Sequence, residues 1–199
     1  MAESTLTYVR QVYLSGANES QYMTLDFSGM SAYTDAVVFF QGWKGGNDND
    51  GNKLRVQFYH STGGWNQSYN TSTSFSAQHA SAGAAYHYNN NPGMEICEKF
   101  LSYKNIWGYG NNGGMACYVF EFHNIHAAGG KTPCLSYRGG TPPPGRNDST
   151  FVYHCEWTEG NATSGTSFAG RNSAITQARL YSDQNYFRGP SQAQIYGRS

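Results

Sequence analysis

Ile175-Thr-Gln-Ala-Arg-Leu-Tyr-Ser-Asp-Gln-Asn-Tyr-Phe-Arg-Gly-Pro-Ser-Gln-Ala-Gln-Ile-Tyr-Gly-Arg198 is the stretch on which the fold turns. Ile175, Gln177, Arg179 and Tyr181 alternate with Thr176, Ala178 and Leu180, the period of two of a strand whose faces meet unlike surroundings. Asp183-Gln-Asn then turns the chain, Tyr186 and Phe187 resume an apolar patch, and Gly189-Pro-Ser interrupts it. In the closing strand Ala193 and Ile195 oppose Gln192, Gln194 and Tyr196. The expectation is two strands paired with each other around an aromatic-tipped turn. Leu180, Tyr181, Tyr186, Phe187, Ile195 and Tyr196 then serve packing and turning, with no chemistry of their own.

The same alternation recurs upstream. Strands are expected at 6–14, at 22–27 with Met23, Leu25 and Phe27 on one face, and at 54–60 with Leu54, Val56 and Phe58 aligned. Ala36-Val-Val-Phe-Phe40 is apolar on both faces and predicts a central strand covered on both sides. Asp50-Gly51 reads as the hairpin turn joining it to the Leu54 strand. Further strands are expected at 74–79, 84–88, 95–103, 115–122, 134–137 and 150–157, and no segment sustains a helical period. So many short strands suit two packed sheets. The predicted fold is all-β, a two-sheet antiparallel sandwich of jelly-roll type, with residues 8–199 as a single domain behind an N-terminal tail of residues 1–7.

Charged residues make up 13% of the 199, against about 25% in ordinary soluble domains. Glycine (24), tyrosine (16) and phenylalanine (11) take their place, so amides, hydroxyls and rings must wet the surface. Such a surface suits protein lattices or sugar contacts. Thirteen Lys and Arg balance thirteen Asp and Glu, which leaves no electrostatic footprint for nucleic acid. No run approaches the ~20 apolar residues that cross a bilayer, and the first residues lack a basic-then-apolar leader. Synthesis in the cytosol follows, and with it Cys97, Cys117, Cys134 and Cys155 as buried thiols, Cys117 and Cys155 as neighbours across a sheet. The sequons at Asn18, Asn66, Asn70, Asn147 and Asn161 are then unmodified.

Three sets of residues invite a chemical reading. His123 and His126 with His154 offer three imidazoles for zinc, but positions three apart on a strand face opposite sides. Asn47-Asp-Asn-Asp-Gly-Asn52 resembles a calcium loop until Lys53 falls where the bend glycine belongs and Tyr59 where the bidentate Glu belongs. Glu95, Glu98, Glu121 and Glu156 could supply a glycosidase pair, yet no two stand in a glycanase pattern. No nucleophile elbow or phosphate-cradling loop occurs. No catalytic residue, no metal and no cofactor is expected. What remains for partner or glycan contact are the loop aromatics Trp43, Trp65, Tyr69, Trp107 and Tyr109 and the stiff arm Pro142-Pro143-Pro144.

The run Ala178-Arg-Leu-Tyr-Ser182, then Asn185-Tyr-Phe187, then Ile195-Tyr-Gly197 resembles the C-terminal end of structural proteins of tailed bacteriophages. The match spans a small part of the chain. It implies a virion protein without catalysis, with a jelly-roll or sandwich fold. The expected role is an outer capsid cement or decoration subunit gripping the major coat protein, homo-oligomeric in the particle, on the capsid surface and not the tail. The alternative is a tail or baseplate adhesin that binds host surface carbohydrate.

Overall fold

The computed structural model describes residues 5–15, 20–44, 52–61, 64–65, 73–77, 84–87, 94–100, 116–128, 133–141, 151–158, 174–182 and 187–199. They form thirteen strands with no α-helix among them: β1 (Leu6–Leu14), β2 (Tyr22–Asp26), β3 (Asp35–Lys44), β4 (Asn52–His60), β5 (Gly64–Trp65), β6 (Thr73–Ala77), β7 (Ala84–His87), β8 (Met94–Phe100), β9 (Ala116–His123), β10 (Cys134–Thr141), β11 (Phe151–Thr158), β12 (Ile175–Ser182) and β13 (Phe187–Arg198). Alternation explains most of them. In β9, Ala116, Tyr118, Phe120 and Phe122 are buried while Cys117, Val119, Glu121 and His123 face outward.

The large sheet runs β1-β13-β3-β9-β10-β11-β6-β7 and the small one β2-β12-β4-β5, with β8 also on β4. Every ladder is antiparallel. The pairings β1 with β13, β2 with β12, β3 with β9 and β4 with β8 fold the chain back on itself as one long hairpin. That hairpin is wound across two sheets, which is a jelly roll; β10, β11, β6 and β7 widen the large sheet beyond β9. The two inner faces share a core of Met23, Leu25, Val38, Phe40, Leu54, Val56, Phe58, Phe120, Phe122, Leu180 and Ile195, among others. Phe122 of the large sheet meets Phe58 of the small one at 5.6 Å and Phe27 at 5.0 Å, while Tyr137 Oη donates to Ile96 O at 3.2 Å across the gap. Each such ring buried is worth about 1.5–3 kcal/mol.

The fold corrects several expectations. β12 and β13 do not pair with each other: β12 lies between β2 and β4, and β13 between β1 and β3. Leu180 is therefore core in the small sheet and Phe187 and Ile195 core in the large one, while Tyr181 and Tyr196 stand on outer faces. Likewise β3 and β4 belong to different sheets and do not form a hairpin with each other; Asp50-Gly51 lies outside the described residues. Ile175 is buried with Ala178 and Leu180, because the register shifts between Ile175 and Gln177 and flips its side. Leu6 and Thr7 belong to β1, so they are in the sheet. β3 is central, but its outer face is open at Phe39. Cys117 is exposed, and β10 separates its strand from that of Cys155.

Gly197 has a steric reason. A Cβ built there would lie 2.6 Å from Cδ1 of Tyr33 and nearer still to Cγ and Cδ2, so the ring lies directly on the bare backbone. Pro190 is tolerated within β13 because the ladder to β3 is interrupted between Arg188 and Gln192.

Candidate functional site

Register places the outward residues of the large sheet in rows. Tyr8, Tyr196, Val37, Glu121 and Ser136 form one; Gln11, Gln194, Phe39, Val119 and Arg138 form the next. Four large apolar side chains on this face reach solvent: Leu6 (44% exposed), Tyr8 (54%), Tyr13 (57%) and Phe39 (39%). Tyr196 wedges between two of them, edge-on to Tyr8 at 5.6 Å and to Phe39 at 5.4 Å. Hollows of about 400 Å³ and 250 Å³ flank Phe39 and share Val119 and Arg138. Beside the rings runs an amide ladder: Gln11 Nε2 donates to Gln192 Oε1 at 2.7 Å, and Gln192 Nε2 to Gln41 Oε1 at 2.9 Å. Leu6, Tyr8 and Tyr13 lie along the edge strand β1 and Phe39 two strands in on β3, while the amide ladder crosses from β1 through β13 to β3 beside them.

At one end of this face Arg198 ties three strands together. Its Nη2 and Nε donate to Asp35 Oδ2 at 2.8 and 3.1 Å, and its Nη1 to Glu121 Oε2 at 2.8 Å. Burial alone would raise the Asp35 carboxyl, but donation from the Asn124 N–H and from Arg198 outweighs it and holds the group below its ordinary value. Burial disfavours the Arg198 cation, and Asp35 and Glu121 more than restore it.

Asp35, His123 and Ser136 also line up in the order of a hydrolase triad, with His123 Nε2 2.9 Å from Ser136 Oγ and Nδ1 3.4 Å from Asp35 Oδ2. Arg198 intrudes on that arrangement: its Nη2 lies 3.2 Å from His123 Nδ1, so Nδ1 faces a donor, Arg198, as well as an acceptor, Asp35, and the same Nη2 holds Asp35 Oδ2 at 2.8 Å. The cluster is a clasp for the end of β13.

The sequence candidates fall out accordingly. His126 bonds Met30 O at 3.0 Å, and the backbone register sets His154 opposite Arg138 but His123 opposite Cys134, at the other end of a run of β10. Among the described residues no three His, Cys, Asp or Glu side chains come together as a metal site. Glu121 and Glu156 both pair with Ser136, two strand spacings or about 10 Å apart. The Glu121 carboxylate is closed by Arg198. Tyr69, Trp107, Tyr109, Pro142, Pro143, Pro144 and Tyr186 lie outside the described residues, as do Asn47 to Gly51 and the side chains of Trp43, Glu95 and Glu98.

Trp65 is described, and it sits on the outer face of the small sheet. There the Arg179 guanidinium carbon is 4.2 Å from the Trp65 ring centre and 4.3 Å from that of Tyr22. Tyr181 stands at 5.8 Å, and Arg179 Nε donates to Gln57 Oε1 at 2.8 Å. Tyr59 meets Trp65 edge-on at 5.2 Å. Periodicity alone had placed Arg179 on this face; the company it keeps there comes from three other strands.

No protein-family model, curated protein or solved structure matches this chain. Its two outer faces must be read from their own chemistry.

Proposed function

We propose that this is a non-enzymatic structural protein of a tailed-bacteriophage virion, an outer capsid cement or decoration subunit. It would lay the outer face of its large sheet against the major coat protein, on the capsid surface, after synthesis in the host cytoplasm. The observation that carries the reading is the set of exposed apolar side chains, Leu6, Tyr8, Tyr13 and Phe39, that share one face with an amide ladder. The C-terminal resemblance and the low charge of the chain point the same way.

The energetics favour a lattice. Covering what remains exposed of four such side chains yields roughly 1 kcal/mol each, about 4 kcal/mol in all, which corresponds to millimolar affinity for one contact. A subunit of this kind holds by repetition: homo-oligomers spanning adjacent coat proteins raise the avidity without new contacts.

The test is the copy number of this chain in purified virions of the phage that encodes it. Hundreds of copies per particle are expected, and a handful would sink the decoration role. The double variant Tyr8→Ser/Phe39→Ser, which replaces two exposed side chains, is expected to stay folded but fail to enter particles. The second reading, a tail or baseplate adhesin binding surface carbohydrate, draws its support from the ring-flanked Arg179 on the opposite face.

A further inference from the structure

We infer that the outer face of the small sheet carries a receptor for a carboxylate-bearing sugar, a uronate in chemical class, centred on Arg179. The site is independent of where in a particle the protein sits.

The argument starts from what holds Arg179 and what it leaves over. Rings reach it from strands on opposite sides of β12, Tyr22 from β2 and Trp65 from β5, each with its centre little more than 4 Å from the guanidinium carbon. Gln57, buried on the neighbouring strand, accepts from Nε at 2.8 Å and fixes rotation within the guanidinium plane. Among the described residues this is the one hydrogen bond Arg179 makes. Its two terminal amino groups, with four N–H donors in a planar fork, have no acceptor there. A guanidinium immobilised by rings and one amide, with its fork left over, is prepared for a bidentate carboxylate, because the entropy of ordering the side chain has already been spent in folding. The contrast with Arg198 is instructive: that fork is filled by Asp35 and Glu121.

The surroundings select the carrier of the carboxylate. Tyr22, Trp65 and Tyr181 surround a single cation, Tyr59 backs Trp65 edge-on, and Arg55, next along the same face, is buried. A run of acidic side chains would call for several exposed cations. A pyranose acid brings one carboxylate together with C–H faces that lie against rings, which fits one fork amid three aromatics.

Titration calorimetry of the full chain with tetragalacturonate, its methyl ester and a blocked Gly-Glu-Gly peptide decides the matter. Submillimolar binding of the acid is expected, weakened at least about tenfold by esterification or by Arg179→Lys, which keeps the charge but loses the fork and the stacking. The peptide is expected to bind at least about tenfold more weakly than the uronate, since it lacks the ring contacts. Equal binding of acid and ester, equal binding of the peptide, an unaffected Arg179→Lys variant or no heat at millimolar uronate would each overturn the proposal. The acid-versus-ester comparison uses the unaltered protein, so it stands even if Arg179→Lys fails to fold.

Discussion

Replacing Gly197 by alanine tests whether the closing Tyr-Gly is a packing device. The new methyl would stand 2.6 Å from Tyr33 Cδ1, where carbon atoms rest at about 3.5–4.0 Å, so the ring must retreat by roughly 1 Å. It has little freedom to do so. Tyr33 packs against the core, its N–H donates to Met30 O at 2.9 Å, and the next residue, Thr34, donates through both N and Oγ1 to Arg198 O at 3.0 and 3.1 Å. The strain therefore runs into the Arg198 clasp. Overpacking of this kind costs about 1–3 kcal/mol, and at about 2 kcal/mol a domain of this size loses roughly 4–8 °C in Tm. Urea unfolding followed by tryptophan fluorescence measures it. The decisive comparison is Gly197→Ala with and without Tyr33→Ala: removing the ring makes room for the methyl, so the two changes should offset by about 1–3 kcal/mol. If Gly197→Ala is as stable as the parent, or the two costs simply add, the ring-on-backbone account is wrong.

Two further outcomes follow from the same end of the sheet. Because the folded Asp35 carboxyl lies below its ordinary value of 3.8, its stabilisation is complete above that value and is lost as pH falls through the folded one. Asp35→Asn should therefore cost about 1.5–3 kcal/mol at neutral pH and flatten the loss of stability below about pH 4; urea midpoints that stay parallel to the parent across that range would refute it. Deleting residues 183–199 removes β13 from between β1 and β3, together with the buried Phe187, Ala193 and Ile195, and should abolish soluble folding. A soluble truncated chain with an intact β-type circular dichroism spectrum would show that β13 is dispensable.

Local patterns carried the strands and stopped at their partners. Met23 and Leu25, Leu54, Val56 and Phe58, and Ala193 and Ile195 all announce a buried face by period two, and all of them are buried. Ile175 misled because a bulge one residue later reverses its side, and nothing in the residue types marks that bulge. Sheet membership was not legible: Leu180 and Ile195 are near in sequence, yet winding the long hairpin assigns them to different sheets. β5 is two residues long and has no period to detect. The Arg198 clasp joins positions 35, 121 and 198, separations that no spacing rule spans. Trp65 drew notice as an aromatic in a glycine-rich loop, while Tyr22 and Arg179, which complete its cluster, looked like ordinary outward residues of alternating strands.

The position of β13 also orders events in time. β1 and β3 flank it, and of the described strands it is the last to leave the ribosome. Until then β1 has no ladder partner among the described strands, and β3 presents a bare row of backbone donors and acceptors on the side away from β9. Leu6 must wait for Arg198, a closure across nearly the whole chain, which predisposes the protein to slow maturation. During that interval the sheet holds a slot one strand wide. A slot of that width is the geometry that strand exchange between two copies requires.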